Sequence, residues 1–451
     1  MHADRTVSTA NGDGTFRRAT YREVIARGAR LAQALRRLDI TGDERVATFM
    51  WNNQEHLEAY LAIPAMGAVL HTLNIRLFPE QIEFVAYEAE DRVVIADLSL
   101  APILAPVLPK METVHTVVAV GAGDLEPFQR SGKNVVRYHD ITAAESDQFD
   151  WPAIDEKSAA AMCYTSGTTG HPKGVVYGHR STYLHSTAVC SGNGMGLSFS
   201  DKAFPIVPMF HANAWGLPYA ALMAGADILL PDRHMDAKTL VHMIETQRPT
   251  VAGAVPTIWN DVMNYLEREP GHDISSLRLV ACGGSAVPMS LMKTFEERHG
   301  VQIRQLWGMT ETSPTATLAW PPPGTPTARS WEIRGTQGRP MCGVETRIVD
   351  DEGAALPHDG EAVGELEVRG PWITGSYYRN TDESKFQSGW LRTGDVGRID
   401  PQGYITLTDR AKDVIKSGGE WISSVELENH LIAHPAVREA AVVGVPDDRW
   451  Q

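Results

Sequence analysis

Residues 164–174 read Tyr164-Thr-Ser-Gly-Thr-Thr-Gly-His-Pro-Lys-Gly174 and follow the apolar stretch Ala159–Cys163. Small residues after a predicted strand let backbone N–H groups approach phosphate oxygens closely, and the hydroxyls add further donors. The lysine supplies a positive charge, although its spacing from the last glycine is not the Walker spacing. A flexible linker is the competing interpretation, and the ordered series of residue types disfavours it. The predicted phosphate-binding residues are Thr165, Ser166, Gly167, Thr168, Thr169, Gly170 and Lys173.

Helical and extended patterns alternate on both sides of this loop. Apolar residues recur at helical spacing over 20–38, 56–65 and 79–89, with strand-like apolar segments between them. The same alternation resumes over 158–315. Short spacing of this kind predicts an α/β fold, in which helices cover mostly parallel sheets.

The pattern changes in the last part of the chain. Short strand patterns dominate residues 337–408, so we predict a β-rich subdomain within a large N-terminal domain of residues 1–408. A smaller α+β unit starts in residues 409–451, with a turn at Gly418–Gly419 and a helix from about Val425. This segment is shorter than the roughly 50 residues of a small domain. We therefore expect an incomplete C-terminal domain.

Composition bounds the class of protein. The formal net charge is -15, and 43% hydrophobic with 22% charged residues is ordinary for a globular chain. An acidic surface disfavours nucleic acid as a partner. The chain shows no secretory leader and no run of about 18 apolar residues, so we expect a cytoplasmic protein. Reduced thiols fit this expectation, since no metal or disulfide spacing joins Cys163, Cys190, Cys282 and Cys342.

Two further motifs follow predicted strands. Gln305-Leu-Trp-Gly-Met-Thr-Glu-Thr312 offers a carboxylate for Mg²⁺ (Glu311), a hydroxyl for a phosphate (Thr310) and a flat indole for a base (Trp307). A capped helix start explains part of this octet without requiring all of it. Ala281-Cys-Gly-Gly-Ser-Ala-Val-Pro288 permits close approach of a ligand, and a plain turn explains it about as well.

The C-terminal motifs also have plain structural explanations. Gly389-Trp-Leu-Arg-Thr-Gly-Asp395 ends in an aspartate, and aspartate at a turn usually caps backbone groups. Lys412-Asp-Val-Ile-Lys-Ser-Gly-Gly-Glu-Trp421 is as typical of a charged surface hairpin as of a functional segment.

Together these motifs resemble those of the adenylate-forming superfamily, which includes acyl-CoA synthetases, luciferases and peptide-synthetase adenylation domains. The resemblance runs over essentially the whole chain. It implies that the loop at 164–174 binds the β- and γ-phosphates of ATP, with Thr165 and Glu311 beside Mg²⁺. Trp307 stands where the family more often has tyrosine. The nucleotide contacts implied by the resemblance are Gly284, Gln305, Leu306 (through its backbone), Trp307, Thr310, Glu311, Asp395 and Arg410.

The resemblance also gives the hairpin near 412–421 a function. In the family this region is the hinge and the hairpin that swings into the active site. Lys412 matches the hinge, where only a change of backbone angles is needed. Lys416, Glu420 and Trp421 match residues that face the nucleotide or the thiol channel.

The segment Met209-Phe-His-Ala-Asn-Ala-Trp-Gly-Leu-Pro-Tyr219 bears on the acid. By resemblance, His211 lies beside the acyl carboxylate, although a buried structural histidine is otherwise commoner. If the segment is helical, Trp215 shares a face with His211. In bacterial long-chain fatty acyl-CoA synthetases, a tryptophan within HxNAW closes the acyl tunnel, and this chain has HANAW. The chain looks closest to the long- and medium-chain synthetases.

The resemblance therefore implies activation of a fatty acid by ATP to acyl-AMP, then transfer to coenzyme A. The implied partners of the protein are a fatty acid, ATP and CoA. Peripheral membrane contact and a homodimer are also compatible with the sequence. Two alternatives stay open: an adenylation module that loads a carrier-protein thiol, and a non-catalytic nucleotide-binding remnant. The residues implied as catalytic are Lys173, His211, Thr310, Glu311 and Lys416.

The family carries a catalytic lysine near its C-terminus, and no position in this chain matches it. We expect the 451-residue chain to bind nucleotide but to adenylate poorly. Pyrophosphate exchange measures the first half-reaction, and exchange at the rate of an intact homologue would contradict this expectation.

Overall fold

The computed structural model describes residues 1–165, 171–380 and 383–410. Further along the chain it describes 415–417, 420–422, 424, 427–428, 431, 437, 440–443 and 445. The helix predicted from about Val425 therefore begins outside the described residues.

Strands of the described residues alternate with helices through most of the chain. The strands are β1 (Thr6–Ala10), β2 (Phe16–Thr20), β3 (Arg45–Phe49), β4 (Val69–Thr72), β5 (Asp91–Asp97), β6 (Thr116–Val120), β7 (Asn134–Arg137), β8 (Ala159–Tyr164), β9 (Gly174–Gly178), β10 (Lys202–Pro205), β11 (Asp227–Leu230), β12 (Val251–Ala254), β13 (Leu279–Cys282), β14 (Ile303–Gly308), β15 (Thr315–Leu318), β16 (Arg339–Pro340), β17 (Glu345–Val349), β18 (Gly364–Arg369), β19 (Phe386–Gln387), β20 (Trp390–Ile399), β21 (Ile405–Arg410), β22 (Ile415–Ser417) and β23 (Glu420–Ile422). The helices are α1 (Tyr21–Arg37), α2 (Gln54–Ala65), α3 (Pro79–Ala89), α4 (Ala101–Leu104), α5 (Glu126–Gln129), α6 (Tyr138–Ala143), α7 (His179–Cys190), α8 (Leu217–Ala224), α9 (Ala237–Gln247), α10 (Pro256–Arg268), α11 (Met289–His299) and α12 (Thr327–Arg334). Short helical turns occur at Leu98–Leu100, Leu108–Lys110, Ala212–Gly216 and Thr310–Thr312.

Two large sheets form the body of the fold. The seven-stranded sheet has the order β7-β6-β5-β3-β4-β8-β9 and is parallel except for the final β8–β9 hairpin. The nine-stranded sheet has the order β16-β15-β14-β13-β12-β10-β11-β1-β2, with a parallel centre and antiparallel strands at both edges. This arrangement confirms the predicted α/β fold.

A smaller antiparallel sheet follows. Strands β17, β18, β20 and β19 lie side by side, and β21 pairs with the other part of β20. These strands fall within the predicted β-rich region, and β21 extends through Arg410. The proposed division at residues 408 and 409 stays a prediction. Beyond it, β22 and β23 form a separate hairpin.

The first long helix shows how local sequence sets an element. Thr20 and Glu23 form a capping box, in which each side chain accepts a hydrogen bond from the other residue's backbone N–H. Val24, Leu31 and Leu35 follow at helical spacing and are fully buried. Each such burial stabilises the fold by about 1.5–3 kcal/mol. The predicted helix over 20–38 is confirmed as α1.

Asn52 ties the two large sheets together just beyond β3. Its Nδ2 donates to the carbonyls of Pro205 (2.8 Å) and Val207 (2.9 Å), and its Oδ1 accepts from the Met209 N–H (2.7 Å). The residue is buried, so these bonds are protected from competing water. They fix the chain that leaves β10 and leads to His211.

Within the described residues, each helix is too short or too polar to cross a bilayer.

Glu58 and Asp97 are buried carboxyl groups with raised pKa values. Glu58 on α2 is 1% exposed and accepts from the Tyr138 hydroxyl (2.6 Å) and the Gln54 amide (2.7 Å). Burial raises its pKa to about 7. Asp97 at the end of β5 accepts from the Trp51 N–H (3.1 Å), and burial raises its pKa to about 7 as well. Each carboxyl group therefore binds its proton more tightly in the native state than in the unfolded chain.

We predict that Glu58→Gln flattens the dependence of stability on pH. The native state keeps the Glu58 proton at a pH where the unfolded chain loses it. The contribution of Glu58 to the free energy of unfolding is therefore fully present below pH 4.5 and is lost as the pH rises to about 7. The loss is about 1.4 kcal/mol per unit of pKa separation. Urea unfolding across this pH range measures the slope. The exposed Glu126→Gln is the control, and an unchanged slope in Glu58→Gln would contradict the prediction.

Candidate active site

The phosphate loop is closed at its base by its two flanking residues. The Thr165 N–H donates to the Lys173 carbonyl (3.0 Å), and the Lys173 N–H donates to the Thr165 hydroxyl (3.1 Å). Both lie where the β8–β9 hairpin opens at the end of the seven-stranded sheet. The predicted residues Ser166, Gly167, Thr168, Thr169 and Gly170 lie outside the described residues. The clamp holds the two ends of the loop together independently of a ligand.

Gly174 joins this loop to the segment between β18 and β19 of the small sheet. A Cβ on Gly174 would lie 3.0 Å from the Tyr164 ring and 3.1 Å from the Tyr378 Cβ, so only glycine fits without displacement. The Tyr378 N–H donates to the Gly174 carbonyl (2.8 Å). The loop base and residues around 378 are therefore in direct backbone contact.

Glu311 lies in the short turn Thr310–Thr312, beyond the end of β14, and is 5% exposed. Its Oε1 accepts from the Tyr377 hydroxyl (2.5 Å), and its carbonyl accepts from the Thr374 N–H (2.9 Å). The Tyr177 hydroxyl on β9 donates to the Thr310 carbonyl (2.8 Å). The turn is thus held both by the phosphate hairpin and by the 374–377 segment.

Asp395 on β20 completes this polar set. Its Oδ2 accepts from the Trp307 indole N–H (2.8 Å), and both side chains are buried. The prediction assigned Trp307 a flat face for adenine. The structure adds a second use, because the indole N–H holds the carboxylate implied to bind ribose. The adenine contact itself stays a prediction.

Gln305 and the glycines after β13 position one another. Gln305 accepts from the Val287 N–H (2.6 Å) and donates to the Thr336 carbonyl (2.8 Å), so its amide is satisfied by backbone groups. Gly284 has φ +88°, and a Cβ on Gly283 would lie 2.7 Å from the Leu306 carbonyl. The structure therefore requires glycine at both positions, while the sequence singled out only Gly284.

The segment from His211 to Gly216 is not a right-handed helix. Ala212, Asn213, Ala214 and Trp215 have φ between +42° and +57°, which is left-handed backbone. The right-handed helix on which the shared face of His211 and Trp215 depended is therefore not formed in this segment. Each such residue costs about 1–2 kcal/mol, so the surrounding packing must hold the turn in place.

The side chains of this turn differ sharply in exposure. Trp215 is buried, and its ring edge lies over Gly253, where a Cβ would approach it to 3.6 Å. His211 is exposed, yet the surrounding protein and the charge of Arg76 lower its pKa. The lowered pKa of His211 favours its neutral imidazole form.

The predicted C-terminal contacts are placed only in part. In the backbone register of the strands, Arg410 on β21 lies opposite Asp395 on β20, and Lys416 on β22 lies opposite Trp421 on β23. The side chains of Arg410, Lys416 and Trp421 and the whole of Lys412 lie outside the described residues. Their functional assignments stay predictions.

The sequence did not single out Tyr377 and Tyr177. Each contacts the Thr310–Glu311 turn through its hydroxyl. Tyr377 lies in GPWITGSYY at 370–378, a stretch that contributed only to the resemblance. A buried tyrosine usually has a partner for its hydroxyl, and this is the signal that both offered.

Comparison with known proteins gives two family matches. The AMP-binding enzyme family matches residues 1–378, and the AMP-binding enzyme C-terminal domain matches residues 426–451.

The chain is also similar to proteins of known activity. It is 43% identical to 3-methylmercaptopropionyl-CoA ligase from Ruegeria lacuscaerulensis, over 100% of this chain and 84% of that protein. It is 41% identical to medium-chain-fatty-acid–CoA ligase from Ectopseudomonas oleovorans, over 100% of this chain and 82% of that protein. The structure of Bacillus subtilis o-succinylbenzoate coenzyme A synthetase with ATP and magnesium ion matches with a TM-score of 0.81 at 25% identity, over 99% of this chain and 85% of that one.

We predict that Trp307→Phe weakens ATP binding about tenfold or more. The variant keeps an aromatic ring and removes the N–H that holds Asp395, and a hydrogen bond to a charged group contributes about 1.5–3 kcal/mol. Isothermal titration calorimetry measures the dissociation constant.

Trp259→Phe is the matched control for this variant. Trp259 is fully buried in the core, and its indole N–H has no hydrogen-bond partner among the described residues. The Trp259→Phe variant therefore loses apolar packing without losing a hydrogen bond. Equal losses of ATP affinity in the two variants would contradict a specific effect of the Trp307–Asp395 bond.

Proposed function

The chain belongs to the AMP-binding enzyme family, and on that premise we propose that it is an ATP-dependent acid–CoA ligase whose substrate is a linear fatty or fatty-like acid. The carboxylate of the acid attacks the α-phosphorus of ATP, which forms acyl-AMP and releases pyrophosphate. The thiolate of CoA then attacks the acyl carbon and AMP leaves. The observation that carries the proposal is that Tyr377 contacts both Lys173 and Glu311. Trp307, four residues before Glu311, donates its indole N–H to Asp395.

Each described side chain has a chemical part in this proposal. Lys173 places a positive charge beside the phosphates, where negative charge moves to the leaving pyrophosphate. Thr165 keeps its backbone and hydroxyl bound to the Lys173 main chain, so the loop ends need no reorganisation. Asp395 accepts hydrogen bonds, as a group that binds ribose hydroxyls must.

Glu311 and Thr165 would hold Mg²⁺. Among the described residues, no three His, Cys, Asp or Glu side chains cluster as a metal site. A Mg²⁺ ion that arrives with ATP needs no such cluster, because one carboxylate, substrate phosphates and waters complete its shell. The buried Glu311 carboxylate fits this requirement. When bound, the ion neutralises charge on the phosphates.

The turn that carries Trp215 supports an acid substrate with an apolar chain. Phe210, Ala212, Ala214 and Trp215 are buried apolar residues beside the exposed His211 ring. A neutral imidazole can donate to a carboxylate without forming an ion pair that would hold it in the ground state. The two relatives act on acids of different tails, 3-methylmercaptopropionate and medium-chain fatty acids. Both acids are linear and carry no charged group in the tail, and this supports a linear, uncharged acyl chain.

The thiol is proposed as CoA because both relatives are CoA ligases. The comparisons give no support to a carrier-protein acceptor. The cytoplasmic location, the membrane contact and the homodimer stay predictions from the sequence.

We predict that the protein forms CoA thioesters from linear aliphatic acids with Mg²⁺·ATP, at the low rate expected from poor adenylation. The test supplies 3-methylmercaptopropionate, hexanoate, decanoate, benzoate and an amino acid in parallel, and measures acyl-CoA by mass-resolved chromatography. Reactions without CoA control for the first half-reaction by following pyrophosphate. Thioesters from benzoate or the amino acid alone would contradict the linear-acid proposal, and release of pyrophosphate without any thioester would contradict the CoA ligase.

A further inference from the structure

One aromatic side chain contacts both charged groups of the proposed phosphate site. The Tyr377 hydroxyl donates to Glu311 Oε1 at 2.5 Å, and Lys173 Nζ lies 4.9 Å from the centroid of the same ring. Tyr377 is 7% exposed, so both contacts are shielded from water. The resemblance assigns Lys173 and Glu311 to the phosphates and the metal, and it assigns nothing to Tyr377.

The two contacts use different parts of the ring. The ring face carries negative potential and attracts an ammonium group, whereas the hydroxyl at the ring edge donates to a carboxylate. A rigid ring therefore sets how far apart the cation and the anion lie. The hydroxyl also holds one carboxylate oxygen of Glu311 in place. The direction in which the other oxygen points is thereby restricted.

Backbone contacts hold the segment that carries the tyrosine. The Thr374 N–H donates to the Glu311 carbonyl (2.9 Å), and the Tyr378 N–H donates to the Gly174 carbonyl (2.8 Å). The Phe386 ring packs edge-on against Tyr377 at 5.2 Å. The segment is thus anchored on one side to the turn of Glu311 and on the other to the base of the phosphate loop.

We propose that Tyr377 is a positioning residue, which orients the Glu311 carboxylate for Mg²⁺ and the Lys173 ammonium for the phosphates of ATP. The inference rests on the proposed function, because it assumes that this site takes Mg²⁺·ATP. It goes beyond that function by separating the two parts of one side chain. The hydroxyl acts on the metal through Glu311, and the ring acts on the phosphates through Lys173.

Tyr377→Phe and Tyr377→Leu separate these two parts. Phenylalanine keeps the ring and removes the hydroxyl. ATP binds more tightly as Mg²⁺ is added, and the Mg²⁺ concentration that gives half of this gain in affinity should rise about tenfold in the variant. A tenfold rise is expected for one lost hydrogen bond to a charged group. ATP affinity without metal should stay within about twofold. Leucine removes the ring too, so ATP affinity should also fall without metal. Calorimetric titration of ATP at graded Mg²⁺, with neither acid nor CoA present, measures both quantities.

Tyr138→Phe is the matched control. Tyr138 is a buried tyrosine whose hydroxyl donates to the buried Glu58 carboxylate at 2.6 Å, so the same chemical group is removed away from the site. It should lower thermal stability without moving the Mg²⁺ dependence. A Mg²⁺ dependence in Tyr377→Phe within twofold of the unchanged protein, or a shift equal to that of Tyr138→Phe, would overturn the inference.

The same titrations keep this inference distinct from the proposed function. An unchanged protein that binds Mg²⁺·ATP but forms no acyl-CoA contradicts the ligase proposal. The comparison of the tyrosine variants still decides the positioning role in that case, because it needs neither acid nor CoA.

Discussion

The candidate site belongs to three sheets at once, and its geometry depends on a few polar contacts that cross between them. The seven-stranded sheet supplies Thr165 and Lys173, the nine-stranded sheet supplies Glu311, and the small antiparallel sheet supplies Asp395. Buried hydrogen bonds with defined directions join these parts, notably the one from Trp307 to Asp395. Apolar packing tolerates small shifts, whereas such bonds fix orientation. The site is therefore only as well ordered as these contacts.

Local signals were enough to predict the body of the fold. The helix predicted at 79–89 is observed as α3 (Pro79–Ala89), because proline at the helix start and apolar spacing are readable within one segment. One of the strand-like apolar segments between the predicted helices is observed as β3 (Arg45–Phe49), since a short apolar run is also readable within one segment. The strand before the loop at 164–174 was also predictable, because Ala159–Cys163 is an uninterrupted apolar run that is observed as β8 (Ala159–Tyr164).

The contacts between distant residues could not be read from the sequence. Tyr377 and Glu311 are 66 positions apart, and Trp307 and Asp395 are 88 apart. A tyrosine or tryptophan in the sequence indicates a hydrogen-bond donor, but the sequence does not identify the acceptor that it binds. The left-handed turn at Ala212–Trp215 was missed for another reason. Alanine and tryptophan rarely adopt positive φ, so propensity indicated the opposite hand, and tertiary packing decided the outcome.

That turn also restricts how the chain can vary. Four consecutive non-glycine residues with positive φ exclude β-branched side chains, whose bulk next to the backbone clashes in this region. Substitutions that enlarge or reshape the turn are therefore largely closed to the protein. Gly253, which lies against the Trp215 ring, has no such backbone restriction, since its φ is not positive. Changes of shape in this region are therefore expected in the wall that faces the turn, where Leu217 must shift to make room for a side chain at position 253.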